Sequence, residues 1–265
     1  MKHILEENMY SGQEYEADDH HQGSKYTMDD LRDLIQASDI EITQGLVDLQ
    51  ACLINGYWRL LDFDFLSKLL NDLIQLQDEH GWSYNAIPAE VCCDELQEIY
   101  SRDVLIHVLR CYSVLPQGES LHVDVDIAVN QSYKLDEDKI CRFFAELLLR
   151  PVDKFNLKDF CDTWQQAVPE GMNTSLYQLE GAALVERNTN PEVITYYPVN
   201  ELPEDSAERF NSLFKKKAKW SLEEITPYLR DLCTEKVGVS TLLLKYARAS
   251  TQNGTKLYSS KKLMH

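Results

Sequence analysis

The residues of this chain that could make or break bonds are its cysteines, histidines and carboxylates, and their spacing argues against catalysis. Cys52, Cys92, Cys93, Cys111, Cys141, Cys161 and Cys233 include no C-x-x-C pair, the spacing used by zinc ribbons and dithiol redox motifs. They are expected to be small buried hydrophobes in a reducing compartment. His20 and His21 are adjacent but lie in a Gly-, Asp- and Glu-rich stretch, which is expected to be a solvated loop, so no metal site is assigned. Phosphate-cradling loops of the forms G-x-x-x-x-G-K-S/T and G-x-G-x-x-G are absent, as are G-x-S-x-G and H-E-x-x-H, and with them the usual ATPase, hydrolase and zinc-protease chemistries. The carboxylates are dispersed over helical stretches and read as solvated faces. No enzyme activity and no cofactor are expected.

What remains is recognition by charge. The 44 acids and 26 bases give a net charge of −18, which excludes a chain that coats nucleic acid with its whole surface. The charge is uneven: residues 209–265 hold twelve bases against four acids, or +8, and residues 1–208 hold fourteen bases against forty acids, or −26. In the basic quarter Ser240, Thr241, Lys245, Arg248, Lys256, Lys261 and Lys262, with Lys217 and Lys219 before them, form the candidate DNA-binding set, suited to phosphate contact more than base reading. The alternative is a solvated basic face. Nearer the start, Asp39, Glu41 and Asp48 would repel phosphate, while Tyr57, Trp58 and Arg59 are residue types enriched at protein-interface hot spots. That region is expected to meet a protein, although Trp58 could equally pack inward from a hairpin.

One repeated string positions these residues. "YTMDDL" (26–31), "FNLKDF" (155–160) and "WSLEEI" (220–225) each place an aromatic before a capping Thr27, Asn156 or Ser221, an acid at Asp30, Asp159 or Glu224, and an apolar residue next. That is a helix N-cap with an acid at its third position and a hydrophobic staple. Each copy reads as a helix of about ten residues, a break, and a second helix ("DIEITQGLVDLQA", "TSLYQLEGAAL", "VSTLLLKYARA"). Each then ends in a hairpin pattern, carried by Asn55-Gly56, by the turn 188–191 and by Asn253-Gly254. A leading helix is predicted before each copy, over 136–150 and 205–219 and, for the first, in "KHILEENMY". Helix-turn-helix closed by a two-stranded wing is the winged-helix arrangement.

The expected architecture is mainly α with small β wings (α+β), as tandem winged helices: 1–63 with a loop at 11–25, 134–202, and the basic 203–265. Between them, 64–133 is either a fourth, degenerate winged helix or a helical spacer. It shows an amphipathic helix in "DFLSKLLNDLIQLQDEHG", the pair Trp82-Ser83, helices near 89–99 and 102–112, and an alternating "LHVDVDIAV". No run of eighteen apolar residues could cross a bilayer, and "MKHILEENMY" is not a secretory signal, so an exported or membrane protein is not expected.

The strings "QASDIEI", "NGYWRLLDFDF", "DKICRFFAELLL", "WQQAVPEGMNTSLYQLEGAALVER", "LPEDSAERFNSLF" and "QNGTKLY" together resemble the Dcc-type sister-chromatid-cohesion subunit of the alternative replication factor C clamp loader. The likeness runs in order from about Lys2 to the C-terminus. It implies a nuclear, non-catalytic subunit assembled with two chromosome-transmission-fidelity subunits and the shared small ATPase subunits. Such a complex acts on the sliding clamp in replication and cohesion, and its winged helices are associated with binding DNA and docking DNA polymerase epsilon; the charge of the basic unit itself leads us to expect weak, salt-sensitive, sequence-tolerant DNA binding. Family members carry an N-terminal β-barrel region used for assembly, and this chain is expected to start after it. On that resemblance 1–63, with Asp39, Glu41 and 57–59, is the expected polymerase-docking unit and 203–265 the expected DNA unit. A winged-helix interaction scaffold without DNA affinity is the alternative. A sequence-specific transcription factor is disfavoured, because only one unit is basic.

Overall fold

The computed structural model describes residues 1–16, 24–116, 121–122, 124–234, 236–252 and 254–261. Helices and four small sheets alternate along the chain in an α+β arrangement. Two compact units divide it, Met1–Ile140 and Cys141–His265. Among the described residues no helix is long and apolar enough to cross a membrane.

The first unit opens with α1 (Lys2–Glu6) and α2 (Gln13–Glu16), followed by α3 (Met28–Leu34) and α4 (Asp39–Asp48). The cap before α3 forms as its sequence dictates. Asp30 N–H donates to Thr27 Oγ1 at 3.2 Å, and Thr27 N–H donates back to Asp30 Oδ2 at 2.8 Å. Ser38 and Glu41 build a second reciprocal cap at α4. Strands β1 (Cys52–Ile54) and β2 (Tyr57–Arg59) then close a hairpin on Asn55 and Gly56, both at positive φ (52° and 83°), the requirement of a two-residue type I′ turn. Trp58 N–H donates to the Tyr26 carbonyl at 2.8 Å, so the aromatic preceding the cap forms an isolated antiparallel bridge to the hairpin. The core under these elements is Leu5, Leu31, Ile42, Leu46, Ala51 and Trp58.

Residues 64–133 follow a different order, with one long helix first and no two-stranded hairpin among the described residues. α5 (Phe63–His80) starts at the capping Asp62 and ends where Gly81 turns left-handed at φ 64°. β3 (Ile87–Pro88), α6 (Ala89–Leu96), α7 (Arg102–Cys111), α8 (Val125–Ala128) and β4 (Ser132–Tyr133) follow. β3 pairs antiparallel with β4, and Ser113 bridges Leu135. α6 and α7 fall where helices near 89–99 and 102–112 are expected. The pair Trp82-Ser83 precedes them without capping either: the Trp82 ring stacks on His80 at 4.4 Å and Ser83 Oγ accepts from Asn85 N–H. In the alternating "LHVDVDIAV", the described residues 124–129 form a helical turn instead of a strand: Asp124 accepts from Asp126 N–H and caps the short α8.

α9 (Glu137–Leu149) carries the chain into the second unit. There β5 (Phe155–Asn156), α10 (Leu157–Ala167), β6 (Ala183–Glu186) and β7 (Val193–Tyr196) follow, the strands forming a sheet of order β5-β7-β6. Asn156 caps α10 by accepting from Lys158 and Asp159 N–H, and Phe155 packs edge-on to Phe160, 5.8 Å between centroids, as the staple requires. The expected second helix, "TSLYQLEGAAL", is only a 3-10 turn at Leu176–Leu179. Gln165 holds Thr174 N–H and the Met172 carbonyl, and Gly181 at φ 73° redirects the backbone before a longer helix can propagate.

α11 (Ser206–Lys216), β8 (Trp220–Ser221), α12 (Leu222–Ile225), α13 (Val239–Tyr246), β9 (Ala247–Gln252) and β10 (Thr255–Ser260) complete the chain, with sheet order β8-β10-β9. The expected ten-residue helix in "EEITPYLRDLC" is also shorter. Ser221 and Glu224 form the reciprocal cap, but after Ile225 the chain tightens into 3-10 turns at Thr226–Tyr228 and Arg230–Leu232, because Pro227 has no N–H for an α-helical bond. Phe210, Leu213, Trp220, Ile225, Tyr228, Leu242, Leu243 and Tyr258 share one core.

Candidate nucleic-acid interface

The candidate DNA-binding residues are set by α13 and the β9–β10 hairpin. Leu242 and Leu243 anchor α13 in the core, which turns Ser240, Thr241, Leu244 and Lys245 outward. Arg248 is exposed at the start of β9, opposite Ser259, and Lys256 is exposed on β10, opposite Thr251. Lys256 lies over the Tyr258 ring at 5.5 Å and Lys245 over Tyr246 at 4.9 Å. A hydrogen bond with Tyr246 holds the Lys245 ammonium above its ordinary pKa, so it stays charged. Among the described residues none of Lys245, Arg248 and Lys256 has an ion-pair partner.

Of the other candidate bases, Lys217, Lys219 and Lys261 are engaged within the fold. Lys261 Nζ donates to the carbonyls of Leu244 and Lys245, the latter at 3.0 Å, where cationic charge is favoured by the helix dipole. Lys219 Nζ donates to Gln252 Oε1 at 3.0 Å, tying β8 to the end of β9. Lys217 pairs with Glu224 at 2.6 Å and lies over Trp220. Burial pushes the Glu224 carboxyl up, but the bonds from Lys217 and Ser221 outweigh it and hold the pKa below its usual value. Lys262 lies outside the described residues, as do His20, His21 and Asn253.

The candidate protein-binding set divides similarly. Tyr57 is exposed at the hairpin. Asp39 accepts two bonds from Arg32, each 3.0 Å, and Glu41 is spent on the Ser38 cap. Trp58 is 7 % exposed and sits in the core, edge-on to His122 at 4.7 Å. Arg59 is corrected most: it is 3 % exposed. It donates to the Asn8 carbonyl at 2.8 Å and to Asn8 Oδ1 and the Met9 carbonyl at 3.1 Å each, and pairs with Glu16 at 3.0 Å. Burial raises the Glu16 pKa, but the bonds from Arg59 and Lys25 bring it below the ordinary value. Arg59 is thus the tie between the N-terminal segment and the hairpin, not a surface anchor. Sequence reasoning missed Ile40, which is 81 % exposed, and the exposed Leu34 of α3 and Leu53 of β1. Ile40 falls between Asp39 and Glu41, and only the helix phase tells it from the buried Ile42.

Of the cysteines, five are buried. Burial pushes the Cys92 and Cys111 thiols up to about 12 and Cys93 to about 11, which removes the thiolate that nucleophilic or metal chemistry needs. Among the described residues no cluster of three His, Cys, Asp or Glu could hold a metal ion.

The family model "Sister chromatid cohesion protein Dcc1" matches residues 1–229. The chain belongs to the Dcc1 family. It is 47% identical to the mouse sister chromatid cohesion protein DCC1 over 264 residues, 100% of this chain and 64% of the mouse protein. It is 46% identical to the human protein of the same name, over 99% of this chain and 64% of the human one. The budding-yeast DCC1 is 23% identical over 82% of this chain and 58% of its own length. The chain therefore spans slightly under two thirds of the length of these Dcc1 relatives. The family match ends before α13 and the β9–β10 hairpin, whereas the mouse alignment continues through them.

Proposed function

We propose that this chain is a non-catalytic subunit acting in sister chromatid cohesion, built of tandem winged helices that bind DNA at the C-terminal end and a protein partner at the N-terminal end. The observation that carries the DNA reading is the exposed trio Lys245, Arg248 and Lys256 on α13 and its hairpin, without ion-pair partners among the described residues, in the one basic stretch of a chain of charge −18. A helix and wing bearing exposed bases suit phosphate contacts and give little base readout. Family membership supports the cohesion role. The order of helix, short strand or bridge, helical turn and hairpin in 1–63, 134–202 and 203–265 supports the winged-helix reading there, while 64–133, whose β3 pairs with the distant β4, is a degenerate winged helix or a helical spacer. The partners we assign are the chromosome-transmission-fidelity clamp-loader subunits, the sliding clamp through them, the polymerase epsilon catalytic subunit and DNA, all in the nucleus. The polymerase is assigned to the unit 1–63, with the exposed Ile40 and Tyr57 as candidate contacts.

The test is DNA affinity of the whole chain measured against salt. Three phosphate contacts predict a slope of log affinity on log salt of roughly −2.7 on duplex DNA. Lys245→Glu with Arg248→Glu should weaken binding of every sequence alike and flatten the slope. Affinity unchanged by that pair, or insensitive to salt, would favour an interaction scaffold, a reading to which the internal engagement of Lys217, Lys219 and Lys261 also lends weight.

A further inference from the structure

β6 lies at the edge of the sheet β5-β7-β6, and its ladder fixes which backbone groups are used. Tyr197 N–H donates to the Ala182 carbonyl at 2.9 Å, making those two a hydrogen-bonded pair. With the register Ala183↔Tyr196, Leu184↔Thr195 and Val185↔Ile194, antiparallel alternation makes Leu184 the next bonded residue and turns the N–H and C=O of Ala183 and Val185 away from β7. The other side of β7 agrees: Leu157 N–H donates to Glu192 O, so Ile194 faces β5 through its pairing with Phe155. The outward Ala183 carbonyl accepts from the Tyr228 hydroxyl at 3.2 Å. Neither outward group of Val185 has a hydrogen-bond partner among the described residues.

A groove of about 510 Å³ follows this edge, lined by all of β6, by Leu176 and Leu179 of the 3-10 turn, and by Pro227 and Tyr228. Natural proteins guard open edges with lysine, proline or bulges. The β6 sequence Ala-Leu-Val-Glu has no lysine, proline or bulge, and its guards are its four-residue length and Glu186 at its end, which leave Val185 open. We propose that β6 and this groove take up an extended peptide segment of a partner protein. The peptide adds as a strand beside β6, pairs with Val185, and sets alternate apolar side chains against Leu176, Leu179 and Pro227.

Charge selects this occupant. Three bases and four acids line the groove, and Glu180, Glu186 and Glu224 are paired with Arg230, Lys154 and Lys217 at 3.5, 3.6 and 2.6 Å. The near-neutral lining suits a peptide of low net charge and offers a polyanion no net attraction. A second copy joined through β6 is disfavoured by area. A four-residue strand meeting its twin offers far less than the roughly 1,200–2,000 Å² of a stable interface.

The experiment pans a phage library of random ten-residue peptides on the whole chain, then compares synthetic winners on three proteins: wild type, Val185→Pro and Leu176→Glu. Proline at 185 removes an N–H that the β7 ladder does not use, so the sheet should persist. The expected winners carry apolar residues at alternate positions, bind each variant at least tenfold more weakly, and slow hydrogen exchange of the Val185 amide on the wild type. Three results would each overturn the proposal: no enrichment beyond that on an unrelated protein, winners that bind both variants as tightly, or binding that leaves Val185 exchange unchanged. Should Val185→Pro lower the thermal midpoint by more than a few degrees, Leu176→Glu and the amide exchange decide the outcome.

Discussion

Arg209 grips Asp231 with both arms of its guanidinium: Nη2 donates to Oδ2 at 2.9 Å and Nη1 to Oδ1 at 3.1 Å, with Arg209 only 1 % exposed. The same group donates to the Pro203 carbonyl at 2.6 Å and the Tyr228 carbonyl at 2.9 Å. It joins the start of α11 to the 3-10 turns that replace a longer α12. Truncating it leaves buried carbonyls unpaired. Arg209→Ala should therefore cost about 3 kcal/mol in urea unfolding, and Arg209→Lys should recover little, because an ammonium cannot reproduce the fork. Asp231 is half-exposed, so Asp231→Asn should cost only about 1 kcal/mol.

Arg59 plays the corresponding part in the first unit, and this separates folding from docking. Arg59→Glu should destabilise by about 3 kcal/mol, because it removes the bonds to Asn8 and Met9 and sets a second carboxylate beside Glu16. Ile40→Glu lies on the surface and should change stability by no more than about 0.5 kcal/mol, yet abolish polymerase capture if this face docks it. Pull-down alongside thermal melts of both variants checks the pair. Capture by Ile40→Glu at wild-type level would remove α4 from the docking face.

Acid should loosen the first unit through His107. Burial lowers its pKa from 6.5 to about 4, although Nε2 meets the Gln50 carbonyl at 2.9 Å. The folded form thus holds its proton more weakly than the unfolded chain. This stability is fully present above pH 6.5 and drains away as pH falls toward 4, by about 3 kcal/mol in all. His107→Gln should flatten the pH dependence of the unfolding free energy between those limits. A wild-type chain equally stable at pH 6.5 and 4.5 would contradict the assignment.

The reciprocal caps should behave alike wherever they occur. Thr27→Ala, Ser38→Ala and Ser221→Ala each remove the acceptor of one N–H and should each cost about 1 kcal/mol. Thr27 and Ser221 lie in different compact units, so their losses should add. Denaturant midpoints of the single and double variants check this.

The local signals that proved readable were short-range ones. Thr27, Asn156 and Ser221 cap helices because cap, acid and staple all lie within six residues, and Asn55-Gly56 turns a hairpin because the dipeptide admits positive φ. The same local grammar misled in "TSLYQLEGAAL", where Gly181 and the Gln165 bonds overrode helical spacing. Arg59 and Arg209 were indistinguishable from surface bases, since what buries each is carbonyl oxygens that converge only once distant segments meet.

The sequence by itself determined the caps, the hairpin turn at Asn55-Gly56, the family and the uneven charge, because each is written in neighbouring residues or in totals that folding does not alter. Tertiary structure decided which charges remain on offer. Lys245, Arg248 and Lys256 stay exposed, whereas Lys217, Lys219, Lys261, Asp39 and Glu41 are engaged by groups of the fold. It also decided that β6 ends its sheet with Val185 facing outward. A side chain's availability depends on what the folded chain brings within hydrogen-bond distance, and no window of neighbouring residues contains that.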